Sequence, residues 1–381
     1  MSMASDGQLR PSVAPVDDVD PQALMTAEDE SELFERVCPG RIQRATPEQG
    51  ALHHPVFGYY VAAFEGFAVD PKTRFEGSSA GVLTAITTWL VASGRAPAAL
   101  AAAAKTDEPR RTVPVRITSR DEALEAAGSR YAPVSMAGRS PLNDSDAFIG
   151  KPCEVAAVRA LEGQSAQSDE PSRPGLSFFC AGTPGQTDTD RLVEFLGGDP
   201  HNISSLRYRG RGAPGNFEFE DVGGSHALSY AESWGVHLGR SLPWRCKLCP
   251  DGTGGAADIS VGDFWRSDAA GFPVLTETEG TSVVIARTHR GAGWLSAAAS
   301  DGIVSLSPID LDVVAATQPL QRERKRTLIW RLWGRRLAGR PAPKYPGFRL
   351  LRVADLHASQ ILRAAGGTFK RTAASSRRAG Q

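Results

Sequence analysis

Two stretches decide the fold: DAFIGKPCEVAAVRAL at 146–161 and LSFFCAGTPGQTDTDRLVEFLG at 176–197. Each opens on a short apolar run of strand character, Asp146–Ile149 and Leu176–Phe179. Each then turns through a segment rich in Gly and Pro that carries a cysteine, and continues as a helical pattern, Glu154–Leu161 and Thr187–Leu196, the second stopped by Gly197. Strands alternating with helices predict a parallel sheet, because a parallel pair needs a crossover long enough to hold a helix. Ligands of such sheets gather at the carboxyl ends of the strands. Cys153 and Cys180 both fall at that edge, each in a turn opening onto a helix.

Outward from this centre the pattern is less regular. Gln164–Pro174 is polar and rich in Pro and Ser, a surface loop. Upstream, GSSAGVLTAITTWLVASG at 77–94 predicts a helix with Val82, Leu83, Ile86, Trp89 and Leu90 on one face, Ser78 and Ser79 placed to cap its start and Gly94 to close it. The Ala-rich run 96–103 reads equally as a buried strand or a second helix. Downstream, residues 206–220 alternate like a strand and Ser282–Arg287 is a further β run. The expected fold class is therefore α/β, a mixed and partly parallel sheet with flanking helices, plus a loop-rich segment around the later cysteines. Four regions follow: 1–30 without structure, 31–145, 146–321 and a basic extension 322–381.

The chain has 381 residues, 41% of them hydrophobic, and no net formal charge. That is enough apolar material for one large or two medium domains. No stretch approaches the ~20 apolar residues that span a bilayer, and the N-terminus MSMASDGQLRPSVAPVDDVD has no apolar core of a secretory signal. A cytoplasmic protein is the expectation. Neutrality hides an asymmetry: from Arg322 onward there are sixteen Lys/Arg against Glu323 and Asp355. Nucleic acid, an anionic membrane surface or an acidic partner could answer such a tail, or it is simply a solvated basic helix with a frayed end; no specific nucleic acid is expected.

Five cysteines are an odd number without disulfide-like spacing, so in a reducing compartment they point to metal or chemistry. Cys246 and Cys249 form CysLysLeuCys, a spacing that lets two thiolates reach one centre, with Pro250 directly after. With Cys153 and Cys180 they make four, the number that a 4Fe–4S cube takes; Cys38 is left over as a packed hydrophobe. Zinc remains open, although zinc sites more often bring two close pairs or closely spaced histidines, and so do unrelated buried thiols. Disulfide exchange is weaker, since a loop and not a helix follows Cys249. GRGAPG at 210–215 has the letters of a dinucleotide fingerprint but leads into strand-like NFEFE, so the match is rejected. Asp258 and Asp263 flank an apolar IleSerVal strand whose ends they can cap.

Beyond these patterns, the residues resemble the coenzyme F420 hydrogenase/dehydrogenase beta-subunit family, iron–sulfur flavoproteins whose relatives include hydroxymethyl-chlorophyll a reductase. GKPCEVAAVR at 150–159 is similar to the family's Gly-x-Pro-Cys-Gln-x-x-x-x-Arg turn. FFCAG at 178–182, RYRG at 207–210, RCKLCPD at 245–251 and ADISVGDFW at 257–265 follow in the family's order. SSAGVLTA at 78–85 and GSRYAP at 128–133 resemble segments of its N-terminal half. The resemblance implies an FAD- and iron–sulfur-dependent oxidoreductase with one 4Fe–4S cluster on Cys153, Cys180, Cys246 and Cys249. It would pass electrons between a redox partner protein or reduced deazaflavin and a small organic acceptor, coenzyme F420 among the candidates. Only Cys38 stands where many relatives carry a second cysteine-rich segment, so one cluster is implied. For the FAD, backbone amides at Ser78, Ser79 and Gly81 could meet the pyrophosphate at a helix start, with Thr84 adding a hydroxyl. Arg130 and Tyr131 could supply charge and an aromatic face, and Arg207 and Arg209 could pair with phosphate or an acidic acceptor. The competing reading is a non-catalytic, zinc-stabilised interaction module with a basic tail.

Overall fold

The computed structural model of the protein describes residues 2–10, 27–136, 145–165, 173–266, 274 and 278–379. Its frame is an eight-stranded mixed sheet: β1 (Ala62–Ala68), β2 (Ala99–Lys105), β3 (Glu108–Ile117), β4 (Ala147–Gly150), β5 (Gly175–Phe178), β6 (Ile259–Asp263), β7 (Ser282–Ala286) and β8 (Val304–Pro308). The spatial order is β8-β1-β7-β6-β5-β4-β2-β3. The four central strands β6, β5, β4 and β2 run parallel, and antiparallel strands close both sides. The Ala-rich run that sequence left undecided is β2.

Both faces of the sheet are covered, and the period-two alternation of the strands shows it. Ala99, Ala101, Ala147, Ile149, Val284 and Ala286 pack into one core with the helix α1 (Val82–Ala92) and with Leu295 and Ala298 of His289–Ser300. Their strand neighbours Leu100 and Phe148 turn to the other side, against Val155 and Val158 of the helix α2 (Pro152–Ser165), and Val283 and Ile285 turn against Phe57, Leu311 and Val314. Small residues on the α1 side let that helix lie close. A satellite layer forms beside the sheet: strands 205–207, 217–221 and 224–228 pack Phe217 and Phe219 on Leu192 and Val193 of the helix α3 (Gln186–Phe195).

Some boundaries differ from the sequence expectation for identifiable reasons. The helix expected over 77–94 begins at Val82, not near Gly77. Its N-cap is Gly81, in the left-handed region at φ 70°, and no side chain caps it. Ser78 and Ser79 are used elsewhere. Residues 2–10 form a short hairpin, Ser2–Met3 against Leu9–Arg10, whose Gly7 carbonyl accepts from the Gln186 amide at the start of α3. The basic extension is largely folded. Its helices α4 (Pro319–Leu337) and α5 (Ala358–Ala379) pack together, and Leu328 and Leu332 of α4 cover Leu248, the apolar residue inside CysLysLeuCys.

A thiol cavity beside a large cleft

Strands β4 and β5 end side by side, in register from Phe148↔Gly175 to Gly150↔Ser177. Immediately past those ends, Cys153 enters the first turn of α2, and Cys180 is fixed by its amide, which donates to the Gly252 carbonyl at 2.8 Å. Cys246 lies in the single helical turn Trp244–Lys247, and Cys249 follows it. All four line one small cavity of about 20 Å³, together with Lys151, Arg245, Asp251, Arg324 and Tyr345. Two of these, Arg324 and Tyr345, come from the basic extension. Arg324 donates to the carbonyls of Cys180 and Ala181, and the Tyr345 hydroxyl donates to the Leu248 carbonyl at 2.7 Å.

The electrostatics of this cavity are those of crowded sulfur in a cationic shell. Burial pushes the Cys180 thiol up to about 12 and raises Cys153 and Cys249 as well; a neighbouring thiol adds to each. Arg245 Nη2 lies 3.6 Å from Cys153 Sγ, and that thiol, acting against burial, holds the guanidinium above its ordinary value. Lys151 pairs with Glu154 at 2.6 Å; burial opposes its charge, and Glu154 and the thiols restore it. Thiols kept neutral by burial, Cys249 among them, make poor nucleophiles. The same thiols are ionised outright when a metal centre supplies the compensating charge. Among the described residues, no group of three or more His, Cys, Asp or Glu surrounds a single point closely enough to hold one metal ion. Four soft donors spread round a shared void fit a centre of several metal atoms. Cys38 does not line the cavity, although its neighbour Pro39 does.

A second, much larger cavity of about 410 Å³ opens on the other side of Lys151 and Cys180. Lys151, Cys180, Gly182 and Thr183 line both spaces and form their common wall. Of the residues singled out from sequence, Ser78, Ser79, Gly81, Thr84, Arg130, Tyr131 and Arg209 line the cleft. Arg207 does not; it pairs with Glu76 at 3.0 Å behind the cleft wall. The uncapped start of α1 faces this space with Gly81, Val82, Leu83 and Thr84. Gly81 is required there, because a Cβ would stand 2.3 Å from the Thr73 carbonyl oxygen in addition to the left-handed backbone.

The two arginines in the cleft wall are already engaged. Arg130 donates to the carbonyls of Pro109, Arg111 and Leu206 and to the Thr112 hydroxyl. Arg209, 3% exposed, donates to Asp263 through both terminal nitrogens, at 2.8 and 3.1 Å, and to the carbonyls of Pro214 and Ser78. It lies under the rings of Tyr230 and Trp265, 4.5 and 5.4 Å from their centroids. Arg209 thus ties the approach to α1 to the end of β6. Ser79 bonds Ser282 and Thr281, and Ser78 accepts from Ser129. Asp258 has a purely architectural setting: it is buried and holds Arg159, Arg290, the Gly175 amide and Thr288. Sequence reading missed the aromatic wall of Tyr230, Trp234 and Trp265, which no spacing signals, and missed Lys151, although it sits inside the GlyLysProCys turn.

The comparisons agree with this architecture. The family model for the N-terminal part of the coenzyme F420 hydrogenase/dehydrogenase beta subunit matches residues 63–138, and that for the C terminus matches 144–312. The coenzyme F420 hydrogenase subunit beta of Methanococcus voltae is 23% identical over 299 residues, 75% of this chain and 99% of that protein. An uncharacterized protein of Methanocaldococcus jannaschii is 24% identical over 221 residues, 54% of this chain and 55% of that one. In fold, a chain of the F420-reducing NiFe hydrogenase complex from Methanosarcina barkeri superposes with a TM-score of 0.55 at 21% identity, covering 74% of this chain and 95% of that chain. With both successive parts of the family pattern matched in order along one sheet, the chain belongs to the coenzyme F420 hydrogenase/dehydrogenase beta-subunit family.

Proposed function

We propose that this protein is an oxidoreductase that holds FAD in the large cleft and one 4Fe–4S cluster on Cys153, Cys180, Cys246 and Cys249. On this reading it passes electrons between a redox partner and a small organic acceptor, with coenzyme F420 as one candidate. Family membership supports oxidoreductase chemistry. The observation that carries the finer reading is the common wall: Lys151, Cys180, Gly182 and Thr183 line both cavities, so a centre held by the thiols would lie one residue's thickness from whatever fills the cleft. When bound, a flavin exchanges electrons in pairs and an iron–sulfur cluster singly, so the two together convert one kind of transfer into the other.

The chain's own residues have separable tasks in this scheme. The four cysteines would supply the sulfur ligands, while Arg245, Lys151 and Arg324 offset the negative charge that such a set accumulates. The open start of α1 turns its first amides and the Thr84 side chain toward the cleft, an arrangement suited to a pyrophosphate. Tyr131, Trp234 and Trp265 offer flat faces for rings. Phe178, Val134 and Met136 make the interior apolar and exclude water from the space next to Cys180. Arg209 and Arg130, with their donors committed inside the protein, would act by holding the wall in place.

Anaerobic purification followed by iron, acid-labile sulfide, zinc and flavin analysis tests the reading directly. Brown protein with about four iron and one FAD per chain is the expected result. Colourless protein containing zinc and no flavin would replace it with a metal-stabilised interaction module.

A further inference from the structure

The family match ends at residue 312, and the basic extension lies beyond it. Its inner faces are accounted for. Helices α4 and α5 approach so closely that a Cβ on Gly334 would stand 2.2 Å from the Ala365 carbonyl oxygen, and Leu328, Leu332, Ala364, Thr368 and Thr372 are buried. The outer faces have a different composition. On α4, Arg322, Arg326, Trp333 and Leu337 are all exposed, at spacings of four, seven and four that place them on one side of the helix. On α5, Leu362 and Phe369 are exposed seven residues apart, with exposed Arg363 and Lys370 next to each. The connection between the helices adds Leu351 and Leu356, each 76% exposed, beside exposed Arg349 and Arg352. Among the described side chains after residue 321, ten basic ones are exposed against a single exposed acidic one, Glu323, while Arg324 and Lys325 are turned inward.

We propose that this two-helix extension is a membrane-docking surface that lays the protein on an anionic lipid bilayer. The interleaving of cations with large apolar side chains favours lipid over a protein partner. A protein interface gathers its apolar residues in a core depleted of charge and leaves the charges to a rim. Here exposed cationic and large apolar side chains lie within the same short stretches, Trp333 and Leu337 beyond Arg326 on α4 and Leu362 and Phe369 next to Arg363 and Lys370 on α5. That mixture suits the headgroup boundary, where Leu, Trp and Phe enter the acyl region while Arg and Lys reach back to phosphate. No described helix is long and apolar enough to cross a bilayer, so the contact is peripheral. The inference is independent of the cofactor assignment.

Flotation of the full-length protein, as purified, with vesicles of phosphatidylcholine alone or with about one-third phosphatidylglycerol tests it. Binding is expected only to the anionic vesicles, and should weaken at least about tenfold when ionic strength is raised to ~0.5 M. The double variant Leu362→Glu/Phe369→Glu should lose at least about tenfold in binding with its melting temperature unchanged, because both side chains are exposed. Failure of the wild-type protein to bind anionic vesicles at low salt overturns the proposal. So does equally tight binding to soluble polyglutamate that ignores the Leu362/Phe369 substitution, which would assign the surface to an acidic protein instead.

Discussion

The thiol cavity draws its walls from separate stretches of chain around Cys153, Cys180 and the Cys246–Cys249 pair, and its sulfurs have few partners inside the protein; the cleft across Lys151 is built the other way round. There the ionic and hydroxyl groups, Arg130, Arg209, Ser78 and Ser79, are already bonded to the protein itself. Open to a ligand are backbone at the start of α1, the Thr84 and Thr183 hydroxyls and aromatic faces. The contrast teaches that charge in a cleft is not evidence of ligand contact. The cavity with unspent donors should answer to substitution through its metal content, and the cleft through stability and flavin affinity together.

The largest effect expected is at the thiols. Cys246→Ser or Cys249→Ser should strip most of the iron while leaving part of the flavin bound, read by iron and flavin analysis of anaerobically purified protein. Iron content unchanged from wild type in both variants would remove the distinction between the cavities and the cluster with it. Next comes Arg209→Met, which leaves Asp263 without its partner in the cleft wall. Breaking a buried ion pair from one side costs about 3–5 kcal/mol, so denaturant unfolding should show a loss of that order. A loss under ~1 kcal/mol would mean that Arg209 is freer than its bonds imply and available to a ligand after all.

A pair of glycines sharpens the cleft side. Gly81 and Gly94 both have left-handed backbones, at φ 70° and 69°, but a Cβ on Gly94 meets nothing within 4 Å, whereas on Gly81 it strikes the Thr73 carbonyl. Gly94→Ala should cost about 1–2 kcal/mol and leave flavin binding alone. Gly81→Ala should cost more and weaken flavin binding about tenfold or beyond, since it must shift the first amides of α1. Equal effects of the two in a flavin titration would show that α1 does not begin at the ligand.

The parts of this arrangement that could be read from sequence were those set by short-range pattern. The turns after β4 and β5 were legible because an apolar run, a Gly/Pro turn, a cysteine and a helical period all fall within about a dozen residues. Convergence of CysLysLeuCys on those turns was suggested by cysteine number, since no local rule fixes where a loop some sixty-five residues further on will fold. The role of Ser78 and Ser79 was misjudged because a serine before a helix is read as a cap, whereas the left-handed Gly81 puts the helix start beyond their reach. Arg324 and Tyr345 were hidden inside a segment whose charge alone was visible. A basic run looks the same from sequence whether it is solvated or, like α4, folded over a cysteine loop.

The smallest predicted effect lies one turn behind the cleft. Asp70 caps the short helix Pro71–Glu76, accepting from the Thr73 hydroxyl at 2.6 Å and the Thr73 amide at 2.9 Å, and Thr73 is the residue against which Gly81 is packed. Those bonds, the hydroxyl foremost and with help from Arg120, lower the Asp70 carboxyl from 3.8 to about 2. Because the carboxylate is half exposed, its worth is that of an ordinary cap: Asp70→Ala should cost about 1 kcal/mol at neutral pH. A folded-state value below the unfolded one means that the contribution is complete above about pH 4 and disappears as pH falls toward 2. The stability gap between wild type and Asp70→Ala should therefore be flat from pH 5 to about 8 and shrink in acid, with iron content unaffected throughout. A gap that widens on acidification would mean that the protonated carboxyl is the form the helix start prefers. A fall in iron would show that the cleft wall and the thiol cavity are mechanically one structure rather than two.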